Sequence, residues 1–114
     1  MPPSVVVVIR EDPRKSHRAV EALRIALGLS TGENPLSVIL LGQAPLMISE
    51  ESEDIVDGEI MEKYLPSFKH LKIPFSVPVG TRARFNLDPE FDVKELSEEA
   101  IRLAISGSSR ILVF

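Results

Sequence analysis

The sequence predicts a small three-layer α/β/α domain with a mostly parallel sheet of 4–5 strands. Short, continuous aliphatic runs recur along the chain, as strands buried on both faces require. Segments with apolar residues at helical spacing separate them. The resulting order β-α-β-α-β-α-β implies right-handed crossovers that lay helices on the sheet faces. The 114 residues read as a single domain, 1–114, a size that buries a core without disulfides or a structural metal.

The first strand is read over Ser4 to Ile9, a β-branched run. Arg10 to Lys15 is polar, contains Pro13 and reads as a loop. A helix then starts near Asp12-Pro13 or Ser16, since either offers an N-cap. In it His17, Glu21, Arg24 and Gly28 form one narrow polar stripe, which suggests cover by the sheet and by a partner subunit. Ser30 to Pro35 is a turn, and Leu36 to Leu41 a second buried strand. Gly42-Gln43-Ala44-Pro45 ends that strand, and the acidic stretch Glu50 to Glu59 reads as a solvated loop or a first helical turn.

Ile60, Met61, Tyr64, Leu65, Phe68 and Leu71 recur at helical spacing, with a kink or break expected at Pro66. Pro74 to Val79 is a third, shorter strand, and Gly80 to Phe91 an irregular loop. Asp92 with Glu95 resembles a capping box, so the last helix is expected to start there. Its buried face would be Val93, Leu96, Ala100, Ile101, Leu103 and Ala104, with Gly107 as its stop. Arg110 to Phe114 is the closing strand.

Composition removes several chemistries. There is no cysteine, so disulfides, thiolate nucleophiles and Cys-based zinc sites are excluded together. Only two histidines are present, and no metal or cofactor is expected. The acidic run Glu50, Glu51, Glu53 and Asp54 lacks the spacing and glycine of a calcium loop. The net charge of −4 argues against nonspecific nucleic-acid binding. No apolar run is long enough to cross a bilayer, and the expected location is the cytoplasm.

Four stretches in order resemble the DsrE/DsrF-like family, which includes the TusB, TusC and TusD subunits of sulfur-relay complexes. They are VVVVIREDPRKSHRAVEALRIALGL, VILLGQAPLMI, IMEKYLPSFKHLKIPFSVPVG and ELSEEAIRLAISGSSRILVF. They are spread along the chain from Val5 to Phe114, and the resemblance extends over nearly its whole length. The resemblance implies a DsrE-like fold and ring-shaped oligomers, so the expected partners are copies of this chain or related DsrE-family subunits. Catalytic members carry a persulfide-accepting cysteine just after the third strand. The matching stretch here is Ser76, Val77, Pro78, Val79 and Gly80, with no sulfur nucleophile. A serine hydroxyl does not replace a thiolate there. The chain therefore resembles the cysteine-poor DsrF and TusC kind, which assemble with the catalytic subunit.

Ligands of parallel α/β sheets sit beyond the carboxyl ends of the strands. Candidate ligand or partner residues are therefore Arg10, Arg14, Ser16 and His17 after the first strand, and Gly42 and Gln43 after the second. After the third they are Pro78, Gly80, Thr81, Arg82 and Arg84. The arginines suit a small anion or an acidic partner surface, which gives the alternative reading of a stand-alone anion-binding module. No glycine-rich nucleotide motif is present. Adjacent Ser16 and His17 would point apart on a helix and make a poor catalytic dyad, so no catalytic residue is assigned.

Overall fold

The computed structural model describes residues 4–50 and 53–114. It holds five strands in one all-parallel sheet, β4-β3-β2-β1-β5. The elements are β1 Val5–Ile9, α1 Arg18–Leu29, β2 Leu36–Leu40, a 3-10 segment Ala44–Ile48, and α2 Gly58–Leu71. There follow β3 Phe75–Pro78, α3 Thr81–Phe85, β4 Val93–Leu96, α4 Glu98–Ser106 and β5 Arg110–Val113.

The strand order explains the layers. The chain steps outward from β1 to β4, then returns across the whole sheet to place β5 beside β1. With right-handed crossovers the outward steps put their helices on one face, and the return puts α4 on the other. The two apolar clusters follow this division. Val7, Ile9, Val38, Leu40, Phe75 and Val77 pack with α1, α2 and the 3-10 segment. Val6, Val8 and Ile39 point the opposite way and meet Ile101, with Leu41, Leu96 and Ile105 around them.

The first face is thickly covered. Ala19, Val20, Ala22, Leu23 and Ala26 bury one side of α1, while His17, Arg24 and Gly28 stay exposed. Small alanines let this helix approach the sheet closely. Phe68 of α2 stacks on Phe75 with ring centroids 5.4 Å apart, and Phe91 meets Phe75 edge-on at 5.8 Å. Each such buried aromatic contributes on the order of 2–3 kcal/mol. Among the described residues, the second face carries only the nine-residue α4. Leu103, Val113 and Ile111 there remain 63, 49 and 41% exposed.

Several expectations are corrected. α1 begins at Arg18 with His17 as its N-cap, one residue past Ser16, and not at Asp12-Pro13. Asp12 and Ser16 use their side chains in local turns instead, accepting from the backbone N–H groups of Arg14 and Arg18. Pro66 neither ends nor splits α2. It sits on the exposed side, where water can bond the carbonyl that proline leaves unpaired. Gly80 to Phe91 is not wholly irregular, since it contains α3. Val93 to Leu96 is a strand, so the last helix starts five residues later than Asp92 suggested, capped by Ser97. Leu103 and Ala104 are exposed rather than buried.

Candidate functional site

All three strand-end loops lie along the carboxyl edge of the parallel sheet. After β1, Asp12 organises the loop. Its carboxylate accepts Arg14 Nε at 3.1 Å and Nη2 at 3.0 Å, so the guanidinium fork is already occupied. This pairing, mainly the side-chain hydrogen bond, holds the Asp12 carboxyl below its usual range. Ser16 Oγ accepts the Arg18 backbone N–H at 3.1 Å. His17 is the exposed N-cap residue of α1, without a capping side-chain bond. The Ser16 hydroxyl is thus engaged with backbone. Arg10 is exposed, and its backbone N–H donates to Phe114 O.

After β2, Gly42 adopts φ +59°, in the left-handed region that favours glycine. This turns the chain back into the 3-10 segment, with half-buried Gln43 at its start. A side chain at Gly42 would face the Arg10 carbonyl, so the turn also closes the gap between the ends of β1 and β2.

After β3, Gly80 adopts φ +92°, and its N–H contacts the Glu95 carboxylate. Thr81 is buried at the start of α3. Arg82 reaches sideways to β4, donating from Nη2 to Val93 O at 2.7 Å. The Arg84 guanidinium lies 5.0 Å from the centre of the Phe85 ring. Since β2 and β3 stand between β1 and β4, Arg82 and the Arg10–Arg14 loop sit at separate places along the sheet edge. The sequence-predicted arginines are therefore not gathered around one point.

The feature that sequence reading missed is an apolar groove on the α4 side, with a volume of about 570 Å³. Leu41 after β2, Pro78 and Val79 at the end of β3, and Leu96 of β4 form its floor and one wall. Ile101 and Ile105 of α4 form the other, and Glu98 and Arg102 mark its charged rim. Val79 is 73% exposed and continues the apolar lining of the groove, and it is contiguous apolar surface that marks contact sites. The groove lies where the crossover helices after β3 and β4 depart to opposite faces, the position that parallel sheets use for binding. The apolar run continuing past the strand through Val79 was the available signal.

Among the described residues no three His, Asp or Glu side chains come together to hold a metal ion. Glu51 of the acidic run lies outside the described residues. Also among the described residues, no helix is long and apolar enough to cross a membrane.

No protein-family model matches the chain, and no curated protein matches it. Among solved structures, the chain is similar to the ychN protein from E. coli, with a TM-score of 0.76 over the full length of both chains. The two are 17% identical in sequence, and the likeness is one of fold. The five-stranded parallel α/β architecture is the one expected of a DsrE-like domain.

Proposed function

We propose that this chain is a non-catalytic DsrE/DsrF-like subunit that works by association, packing against a cysteine-bearing relative in a sulfur-relay complex. The groove beside Val79 carries this reading. Catalytic members of the family place their cysteine just after the third strand. Here that place is Pro78-Val79-Gly80, and the surface around it is aliphatic and open. Such a surface offers apolar contact area to another protein and no nucleophile to a substrate. Burying Val79 and the groove wall against a partner gains about 25 cal/mol for each Å² of apolar surface removed from water.

The test uses the purified chain and a purified cysteine-bearing DsrE-family protein from the same source. A mixed assembly by native mass, and faster or more complete persulfide loading of the partner when this chain is present, are the expected results. Val79→Glu should leave this chain folded and abolish the mixed assembly. Separate elution of the two proteins, or a Val79→Glu variant that associates like the parent, would reject the reading.

A further inference from the structure

The two edges of the sheet differ in a way that points to a second contact. Along β5, the Arg110 N–H donates to Ser4 O at 3.1 Å and the Phe114 N–H to Val8 O at 2.8 Å. Alternate residues of a strand turn their backbone groups the same way. Leu112 therefore also bonds inward to β1, and Ile111 and Val113 direct their N–H and C=O groups to the outer edge. Among the described residues no strand lies on that side. The side chains of Ile111 and Val113 are 41 and 49% exposed, on the thinly covered α4 face.

The opposite edge is guarded. On β4 the inward bonds fall at Asp92 and Leu96, whose carbonyls accept from Phe75 and Val79. Val93 and Glu95 thus face outward. The Val93 carbonyl already accepts from Arg82 at 2.7 Å. Lys94 and Glu95 add exposed charges there. Charges and side-chain caps of this kind are how edge strands avoid pairing. β5 has neither along Ile111-Leu112-Val113.

We propose that β5 pairs with β5 of a second copy of this chain, antiparallel, about a two-fold axis through Leu112. Two five-stranded sheets become one continuous sheet. This register is the one that fits the chemistry. Ile111 stands opposite Val113 of the second copy, and Val113 opposite its Ile111. Both are hydrogen-bonded pairs, so every outward N–H and C=O of these residues finds a partner. Both also set apolar side chains against apolar ones, which favours the pairing. Leu112 meets its own counterpart across a non-hydrogen-bonded site, where Cα atoms approach to about 4.5 Å. Centring the axis on Ile111 instead sets Val113 against Ser109, whose N–H already bonds Ser4. A two-fold contact closes on itself, so it yields a dimer and no fibre. The contact is separate from the groove at the ends of β2 to β4, and either can fail without the other.

Amide exchange on the unmodified chain tests the proposal. The Ile111 and Val113 amides should exchange as slowly as Leu112 in concentrated protein, and speed up on dilution while Leu112 does not. The absence of native cysteine supplies a second test. Leu112→Cys should cross-link under mild oxidation into a dimer, whereas Lys94→Cys on the guarded edge should not. Val79→Glu should leave the protection of Ile111 and Val113 unchanged, even where it breaks the mixed assembly. Rapid exchange of both amides at every concentration, or equal cross-linking of the two cysteine variants, would overturn the proposal.

Discussion

Lys69 Nζ lies 2.9 Å from the carboxylate of Asp88 and thereby ties the segment between α3 and β4 to the far end of α2. The same ammonium lies 2.9 Å from Glu90 and 4.9 Å from the centre of the Phe91 ring. Phe91 in turn packs on Phe75, so one cation holds the connection against the core.

This arrangement sets a pH dependence at both ends of the scale. The Lys69 hydrogen bond holds the Asp88 carboxyl below its ordinary 3.8. The stability it contributes is present above that value and is lost as the pH falls through the lower, folded one. Asp88 and Glu90 raise the Lys69 ammonium above its ordinary 10.5. That contribution is complete below 10.5 and is lost as the pH rises through the folded value. Urea unfolding of Lys69→Met at neutral pH should show a loss of about 1 kcal/mol. The difference from the parent should shrink toward both pH extremes. A constant difference at all pH values would assign the effect to packing alone.

A second prediction concerns where the last helix begins. Ser97 Oγ accepts the Ala100 N–H at 3.1 Å, satisfying one of the free donors of the first turn of α4. Ser97→Ala should cost about 1 kcal/mol in urea unfolding. Asp92→Ala, at the site that mimics a cap in the sequence, should stay within about 0.5 kcal/mol of the parent. The reverse order would place the helix start at Asp92.

That false start shows what the sequence carries and what it hides. Val5–Ile9 and Leu36–Leu40 are legible because strands buried on both faces need apolar residues at nearly every position. β4 hides because an edge strand does not: Val93-Lys94-Glu95-Leu96 places two charges in its middle, and Asp92 with Glu95 imitates a cap. α3 spans only Thr81–Phe85, too short for any periodicity to register. Gly42 and Gly80 were legible in the sequence as strand-end positions, and both adopt left-handed turns that favour glycine. The groove was not, since it joins Leu41, Val79, and Leu96 with Ile101 from three separate stretches of chain. Nor was the role of Arg82, because a local sequence window does not show that the β3–β4 connection folds back on β4.

A third prediction tests that role directly. Two readings of Arg82 differ in what its removal does. If Arg82 serves as the cap of the Val93 carbonyl, Arg82→Ala loses one hydrogen bond to a charged donor, on the order of 1 kcal/mol, or about 4 °C in melting temperature. The loss is the same with and without phosphate, and the Val93 carbonyl on the β4 edge is left uncapped. Native mass of the variant should then rise with concentration beyond that of the parent, because a second edge guarded only by the charges of Lys94 and Glu95 pairs more readily. If Arg82 instead binds an anion, phosphate raises the melting temperature of the parent and leaves the variant unmoved. The 2.7 Å bond to Val93 and the separation from the Arg10–Arg14 loop favour the first outcome. Arg82→Lys sharpens the distinction. A lysine keeps the positive charge that an anion would feel but lacks the long planar fork that reaches across to β4. It should therefore associate like Arg82→Ala.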